Sequence, residues 1–592
     1  MADRNRNRQL NQPKDTKGTI RRLLIYIMAY RHVLLLVMLL CILSNVLSLF
    51  GPSLAGKAIN EAAAGAGKVN FSSVLYYVRR MLLFYVSSAL LSYVINVIMM
   101  HVGRWLGNRM RQDVFHKLMK LPVSYFDRNQ AGDIISRVSY DIDVITTSFS
   151  TDLVQIMTNV VTVGGSLIMM LLISPRLVLI TLITVPLAVF YTRRMGRITK
   201  PLFSRRSAKY GEMNGYVEEM FSGHKTILAY AHEDAVAEDF DAINADAAEY
   251  FYKSEYYGMT IGPSVGFINN LGLSLICMFG SILYLYKQVS LGQISSFVLY
   301  SRKFSGPINE IANIMNELYS ALAAAERVFR LLNEEEEIPD VENAKVLKEV
   351  RGQVEIDHLS FGYDPGKIIL HDLNLKVKPG EMIAIVGPTG AGKTTIINLL
   401  MRFYDPNSGT IRVDGVGSRE VTRESLRKAY AMVLQDTWVF KGTVFDNIAY
   451  GKEDATMEEV VAAAKAARIH SYIKRLPKGY QTVIGEDGGN ISKGQKQMLT
   501  IARAFLYDAK ILILDEATSN VDTTTEQQIQ KAMRDLMADK TCFVIAHRLS
   551  TIQNADHILV LDHGDIVEQG THETLMEAKG FYYDLYQSQF VS

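Results

Sequence analysis

Residues Met382–Leu400 read MIAIVGPTGAGKTTIINLL, and the organisation of this 592-residue chain follows from them. Met382–Val386 is an unbroken apolar run of the kind that forms a strand buried on both faces. Gly387-Pro388-Thr389-Gly390-Ala391-Gly392-Lys393-Thr394 follows and fits G-x-x-x-x-G-K-[ST]; Thr395–Leu400 then reads as helix. Strand, glycine-rich turn and helix N-terminus in that order make a phosphate cradle. The glycines let backbone N–H groups curl around a β-phosphate, and the helix dipole adds positive potential. Lys393 is placed to reach β- and γ-phosphates, and the Thr394 hydroxyl to ligate Mg²⁺.

A second apolar run, Ile511–Leu514, ends in Asp515-Glu516. A carboxylate at the end of a buried strand suits a metal site, so Asp515 is assigned to Mg²⁺. Glu516 is assigned as the general base that polarises an attacking water. Between the two strands lies Gly488-Gly489-Asn490-Ile491-Ser492-Lys493-Gly494-Gln495-Lys496-Gln497, in which Ser492 and Gly494 open a helix-like stretch, Gln497–Phe505. This is another N-terminus suited to phosphate; the sequence pattern does not say whose phosphate. From Val354 onward, short β-rich runs alternate with Gly, Pro and helical stretches, which predicts an α/β domain with a largely parallel sheet over 354–592.

The N-terminal half differs. A bilayer core of about 30 Å needs roughly 20 apolar residues in a helix. Six stretches qualify: His32–Ser53, Met81–Val102, Leu153–Ser174, Leu177–Thr192, Gly258–Tyr286 and Leu291–Leu318. Spans three and four form a tight hairpin through Ser174-Pro175-Arg176, and Thr19–Tyr30 reads as an interfacial amphipathic helix. Basic residues crowd the segments after spans two (Arg104, Arg109, Arg111, Lys117, Lys120, Arg128, Arg137) and four (Arg193, Arg194, Arg197, Lys200, Arg205, Arg206, Lys209). Positive charge marks the cytoplasmic side. The N-terminus and everything after span six then lie there too, and Lys57, Lys68, Arg79 and Arg80 in the first outer loop are a mild exception. The two basic segments, about 45 and 65 residues, are too long for bare loops. They read as extensions of the spanning helices that turn at Pro122–Gly132 and Ser222–His232, either as transverse pieces that touch the second domain or as plain surface turns. Arg302 and Lys303 fall near mid-bilayer, so they line a water-filled cavity or lie closer to an interface than the span limits imply.

The expected layout is a polar tail (1–18), an all-α six-helix transmembrane domain (19–330, its amphipathic helix at 19–30), a charged linker (331–353) and the α/β domain (354–592). Net charge is +2, which implies no nucleic-acid partner. Cys41, Cys277 and Cys542 have no metal-ligand spacing and read as small buried hydrophobes.

On these residues the chain resembles the ATP-binding-cassette superfamily, specifically its multidrug and lipid-flippase half-transporters, over nearly its whole length. Gly387–Thr394 with Thr395 is similar to the Walker A loop, and Ile511–Glu516 to Walker B with its catalytic glutamate. Ser492, Gly494 and Gln495 stand at the family's signature loop. The resemblance implies that Gln435 is the Q-loop glutamine on Mg²⁺, His547 the switch histidine on the γ-phosphate, and Tyr363 the aromatic that stacks on adenine, worth about 1–3 kcal/mol. Ser519-Asn520-Val521-Asp522 falls at the D-loop, and Gly485-Glu486 at a loop that touches membrane domains. ATP and Mg²⁺ are implied, with each ATP held between one half's Walker A and the other half's signature loop. So are membrane lipids and a hydrophobic or amphipathic cargo exported across the cytoplasmic membrane; drug, lipid and peptide all stay open.

Two departures stand out. The family's Leu-Ser-Gly-Gly-Gln is Ile491-Ser492-Lys493-Gly494-Gln495 here, and the D-loop carries Asn520 and Val521 where Ala and Leu are usual. An altered signature beside intact Walker motifs resembles the ATP-hydrolysing subunit of heterodimeric exporters, whose partner is a second half-transporter with a degenerate Walker B. A homodimeric lipid flippase that tolerates Lys493 is the alternative. Fusion of membrane and ATPase parts in this order weighs against an importer, and the spans exclude a soluble chromosome-type ATPase.

Overall fold

The computed structural model describes residues 15–63, 65, 68–364, 366–434, 437–485, 491–515, 523–546 and 549–590, the side chains of 309, 311–313, 316, 523, 549–550 and 589–590 excepted. The chain divides into two compact units, Met1–Met119 with Ala131–Glu334, and Lys120–Gln130 with Glu335–Ser592.

The first unit is helical. Helix α1 (Thr16–Met28) starts on Asp15, whose carboxylate accepts the Gly18 N–H at 2.9 Å. Helices α2 (Arg31–Ala62) and α3 (Phe71–Leu118) follow. Short helix α4 (Val123–Arg128) belongs to the second unit. Then come α5 (Ala131–Ser136), a π-helical turn (Arg137–Asp141), α6 (Ile142–Thr147), a second π-helical turn (Ser148–Asp152) and α7 (Leu153–Ile173). Helix α8 (Pro175–Ser222) starts at the expected hairpin, and α9 (His224–Tyr230), α10 (Glu233–Leu285) and α11 (Leu291–Leu332) complete the unit. Both turn regions read from the sequence are thus short helices, α4 and α9.

Among the described residues five segments are long and apolar enough to cross a membrane: Arg31–Ala62, Phe71–Leu118, Ala131–Ile173, Pro175–Ser222 and Glu233–Leu285. The sixth expected span, on α11, is helical but falls short in apolarity. Packing supplies the reason, because α11 is walled by α2 and α7 rather than by lipid alone. Phe297 and Tyr300 are fully buried, the Tyr300 hydroxyl donates to the Leu49 carbonyl at 2.5 Å, and Ser296 Oγ donates to the Pro52 carbonyl at 2.8 Å. A Cβ on Gly292 would sit 1.8 Å from the Gly56 carbonyl oxygen, so the two backbones approach as closely as glycine allows.

Lys303 belongs to this joint. Pro52 lacks the N–H that would bond the carbonyl four residues back, which is Ser48. Lys303 Nζ donates to that carbonyl at 3.1 Å and to Ser48 Oγ at 2.7 Å. The lysine is therefore a tie between α2 and α11, whereas Arg302 is exposed. At the other end of α11, Arg327 makes a two-pronged pair with buried Asp141, at 2.9 and 2.5 Å. Of the cysteines, Cys41 and Cys542 are buried as expected; Cys277, on α10, is exposed.

The second unit has two main sheets. Strands β1 (Val354–Phe361), β2 (Leu370–Val377), β4 (Ser408–Val413) and β5 (Val416–Gly417) form an antiparallel sheet in the order β2-β1-β4-β5. Strands β3 (Met382–Val386), β6 (Tyr430–Val433), β9 (Ile511–Asp515), β10 (Thr541–Ile545), β11 (His557–Asp562) and β12 (Asp565–Gly570) form the other, in the order β12-β11-β3-β10-β9-β6, parallel except for β12. A small pair, β7 (Gly442–Thr443) and β8 (Val483–Ile484), lies apart. The helices are α12 (Lys393–Leu400), α13 (Arg423–Lys428), α14 (Val444–Ala449), α15 (Met457–Ala466), α16 (His470–Arg475) and α17 (Lys493–Tyr507), then α18 (Thr523–Met537), α19 (Leu549–Gln553), α20 (His572–Ala578) and α21 (Phe581–Phe590).

The acidic linker is held rather than loose. Arg423, nearly buried, pairs with Glu337 at 3.4 Å, Asp340 at 3.0 Å and Asp405 at 3.2 Å, and donates to the Ile338 carbonyl. Arg402 pairs with Asp340 at 3.5 Å and Asp405 at 3.2 Å, and Arg427 with Glu337 at 2.5 Å. Removing one partner of a buried pair strands the others. Arg423→Ala therefore lowers the stability of the full chain by about 3 kcal/mol, read as an earlier thermal transition in detergent. Arg423→Lys recovers part of that loss, because a lysine cannot fork to three carboxylates.

Candidate nucleotide site

The phosphate loop leaves β3 at the centre of the parallel sheet and enters α12. Its glycines hold conformations that side chains resist: φ is +151° at Gly387, +85° at Gly390 and +102° at Gly392. A Cβ at Gly387 would also meet the Leu561 carbonyl oxygen at 2.2 Å. The loop thus lies on the end of β11. Pro388 and Ala391 complete the turn, the Ala391 N–H donating to the Pro388 carbonyl at 3.2 Å. Thr389 is exposed on it.

Lys393 folds back over the loop, donating from Nζ to the carbonyls of Gly387 at 2.7 Å and Pro388 at 2.9 Å. Burial pushes its pKa down, and the charge of Asp515 pushes it back up. The lysine and the Asp515 carboxylate therefore sense one another. Register explains this: Ile385, Ile545 and Asp515 stand opposite one another on β3, β10 and β9. All three strands run parallel, so their C-terminal ends share an edge, the usual ligand edge of such sheets. Thr394 is exposed, whereas Thr395 is buried and faces a tyrosine.

That tyrosine is Tyr363. Its hydroxyl donates to Thr395 Oγ at 3.3 Å and accepts from Asn398 Nδ2 at 3.1 Å. Its ring meets Phe361 and Tyr404 edge-on at 5.0 and 4.9 Å. Nothing in the sequence singled out Asn398 or Tyr404. Around the same ring sits α4, part of this unit. The Tyr404 hydroxyl donates to Asp127 at 2.5 Å, while Arg128 donates to the Tyr363 carbonyl at 3.1 Å and pairs with Asp364 at 3.6 Å. The Glu337 N–H donates to the Lys120 carbonyl at 2.9 Å. Of the two sequence readings of Pro122–Gly132, docking on the second unit is the one observed.

Ser492 caps α17. Its Oγ accepts the Gln495 N–H at 3.3 Å, and Gln495 Oε1 accepts the Ser492 N–H at 2.9 Å. Gly494 is buried, and Lys493 projects from the first turn into solvent. Helices α12 and α17 pack on opposite faces of the parallel sheet. The former covers Ile383, Ile385, Ile513 and Ile545; the latter covers Val433, Leu512, Leu514 and Val544. Within one chain the two phosphate-suited N-termini are therefore kept apart. Gln435, Glu516 and His547, with Glu486 and Ser519–Asp522, lie outside the described residues. The described strands that lead to the first three, β6, β9 and β10, are parallel neighbours.

Residues 34–308 match the ABC transporter transmembrane region, and residues 370–519 match the ABC transporter family. Over 577 residues the chain is 43% identical to the uncharacterized ABC transporter ATP-binding protein YfiC of Bacillus subtilis, covering 98% of this chain and 95% of that one. This chain is an ABC exporter half-transporter. It is 46% identical over 477 residues to a fatty acid ABC transporter ATP-binding/permease protein of Mycobacterium bovis (81% of this chain, 75% of the relative). It is 35% identical over 494 residues to an ATP-dependent lipid A-core flippase of Syntrophus aciditrophicus (83% and 82%). The structure of a bacterial Atm1-family ABC exporter with ATP bound superposes with a TM-score of 0.75 at 31% identity, covering 95% of this chain and 99% of that one. The half-transporter is a multi-pass membrane protein that binds ATP and couples its hydrolysis to transport.

The loop geometry makes a graded prediction. Gly387→Ala combines a strained φ with a backbone collision and abolishes binding of a fluorescent ATP analogue. Gly390→Ala meets open space and carries strain alone, about 1–2 kcal/mol, so the analogue still binds, roughly tenfold more weakly.

Proposed function

We propose that this half-transporter is the hydrolytic subunit of a heterodimeric exporter of hydrophobic or amphipathic cargo. The carrying observation is the contrast between its two phosphate-suited helix N-termini. The loop before α12 has its glycines, Lys393 and Asp515 in working relation. The N-terminus of α17 puts the exposed cation Lys493 where the family keeps a glycine. The opposite-face placement of α12 and α17 supports a site shared between two halves, because each N-terminus needs its counterpart from another chain.

In this reading Lys393 releases the loop carbonyls and takes the β- and γ-phosphates, and Tyr363 stacks on adenine. The exposed Thr394 hydroxyl and the Asp515 carboxylate are hard oxygen donors that fit Mg²⁺, with Gln435 as a further ligand. Bound there, the ion screens the charge of the phosphates. Glu516 accepts the proton of the attacking water, and His547 contacts the γ-phosphate. Closure of the two ATPase units reaches the spans through α4 and α9. The ATPase unit and N-terminus lie in the cytoplasm, as the basic segments require. Lipid-handling relatives support an amphiphilic cargo.

The test is ATPase of the chain alone and co-purified with a half-transporter encoded beside it. The pair hydrolyses ATP with cargo stimulation, and Glu516→Gln lowers that rate by about 10²-fold or more. Lys493→Gly raises the rate of the lone chain. Equal stimulated rates from the lone chain and the pair would establish a homodimer instead.

A further inference from the structure

Helices α7 and α11 run antiparallel, and one end of their seam is rich in carboxylates. Asp152 closes the second π-helical turn and is 4% exposed. It accepts from Ser148 Oγ at 2.5 Å and Thr151 Oγ1 at 3.2 Å, and Glu317 on α11 lies close enough to feel its charge. One turn along α7, Gln155 Nε2 donates to Glu310 Oε2 at 3.1 Å. Among the described residues none of these three carboxyl groups pairs with a basic side chain. Two carboxyl groups at such a distance repel when both are ionised, and a third a turn or two away adds to the field. π-Helical turns recur at functional sites, and this one delivers Asp152 into the seam.

A second observation is independent of the acids. Asn159 is 8% exposed, and among the described residues its Nδ2 has no hydrogen-bond partner. Asp152, Gln155 and Asn159 lie at i, i+3 and i+7 and so share a face of α7. That face meets α11, as Gln155 to Glu310 shows, and the next turns bring Val163 and Met170 against Phe297, Tyr300 and Phe304. A buried amide donor left unpaired costs about 1–3 kcal/mol, which a ligand acceptor oxygen would recover. Below the site Arg327 is taken by Asp141, and above it Lys303 is taken by Ser48.

We propose that the seam formed by Asp152, Glu310, Glu317 and Asn159 binds the head of an amphiphilic cargo that carries an ammonium group with a neighbouring oxygen. The carboxylates take the cation, and Asn159 donates to the oxygen. This rests on the export reading above and names its cargo class.

The test is binding without ATP, so that it stands apart from hydrolysis and from subunit composition. The full chain in phosphatidylcholine nanodiscs is titrated with fluorescent single-chain amphiphiles ending in a 2-amino alcohol, a bare amine, an alcohol or a carboxylate. A disc series with phosphatidylethanolamine in place of phosphatidylcholine asks whether a lipid headgroup competes for the site. The amino alcohol binds best, and the amines bind about tenfold tighter than the alcohol, the size of one partly desolvated charge pair. Glu310→Gln with Glu317→Gln removes the amine preference, and Glu310→Asp with Glu317→Asp restores it. Asn159→Leu removes only the advantage of the amino alcohol over the bare amine. Equal affinity for amine, alcohol and carboxylate, or a preference that survives the double Gln variant in a monodisperse sample, overturns the proposal. In either case ATP-driven export would stand.

Discussion

The ATPase unit is arranged around one half-buried ammonium, Lys393. A cation at the end of a buried strand is tolerable only if its hydrogens are taken and its charge is answered. The carbonyls of Gly387 and Pro388 do the first, and Asp515 does the second. Each needs long-range structure. The carbonyls are in reach because the loop lies on the end of β11, which a Cβ at Gly387 would prevent. Asp515 is in reach because β10 spaces β9 from β3 in parallel register. Phosphates would offer Lys393 stronger acceptors than carbonyls, so the site is held poised for an anion.

Local signals were legible in the sequence, and distant pairings were not. The loop, the strand before it, the strand ending in Asp515, the helix after Ser492 and the hairpin at Pro175 all follow from short windows, because period and punctuation are local. The antiparallel β2-β1-β4-β5 sheet depends on register between strands whose order is not written in any window. The clamp of Arg402, Arg423 and Arg427 on Glu337, Asp340 and Asp405 reads in sequence only as scattered charge. The sixth span was read as one more apolar helix. Its shortfall becomes intelligible once α2 and α7 are seen to wall it.

The segment Lys120–Gln130 shows why the boundary between the two units does not follow the chain. Eleven residues flanked by membrane-unit helices pack as part of the ATPase unit. They do so at the Tyr363 ring, where Asp127 and Arg128 bond to Tyr404 and to the Tyr363 carbonyl. The wall of the nucleotide site is thus partly built from a piece whose covalent neighbours belong to the spans. Ordering the Tyr363 ring and ordering α4 are, on this geometry, one event.

The same accounting sorts the charges of the helical unit. Lys303 is consumed by a carbonyl that Pro52 leaves open, and Arg327 by Asp141. These charges build the bundle: each removes a polar defect that folding would otherwise leave in place, and each is local to one joint. Asp152, Glu310 and Glu317 have no such use, since no basic side chain meets them among the described residues, and Asn159 beside them has an unused donor. Stability alone gives no reason to keep buried Asp152 and Asn159 in this seam, because apolar residues of similar size would pack there without repulsion. The cost is explained if the seam is completed by something that arrives from outside the chain, and the charge left over fixes the sign of what arrives.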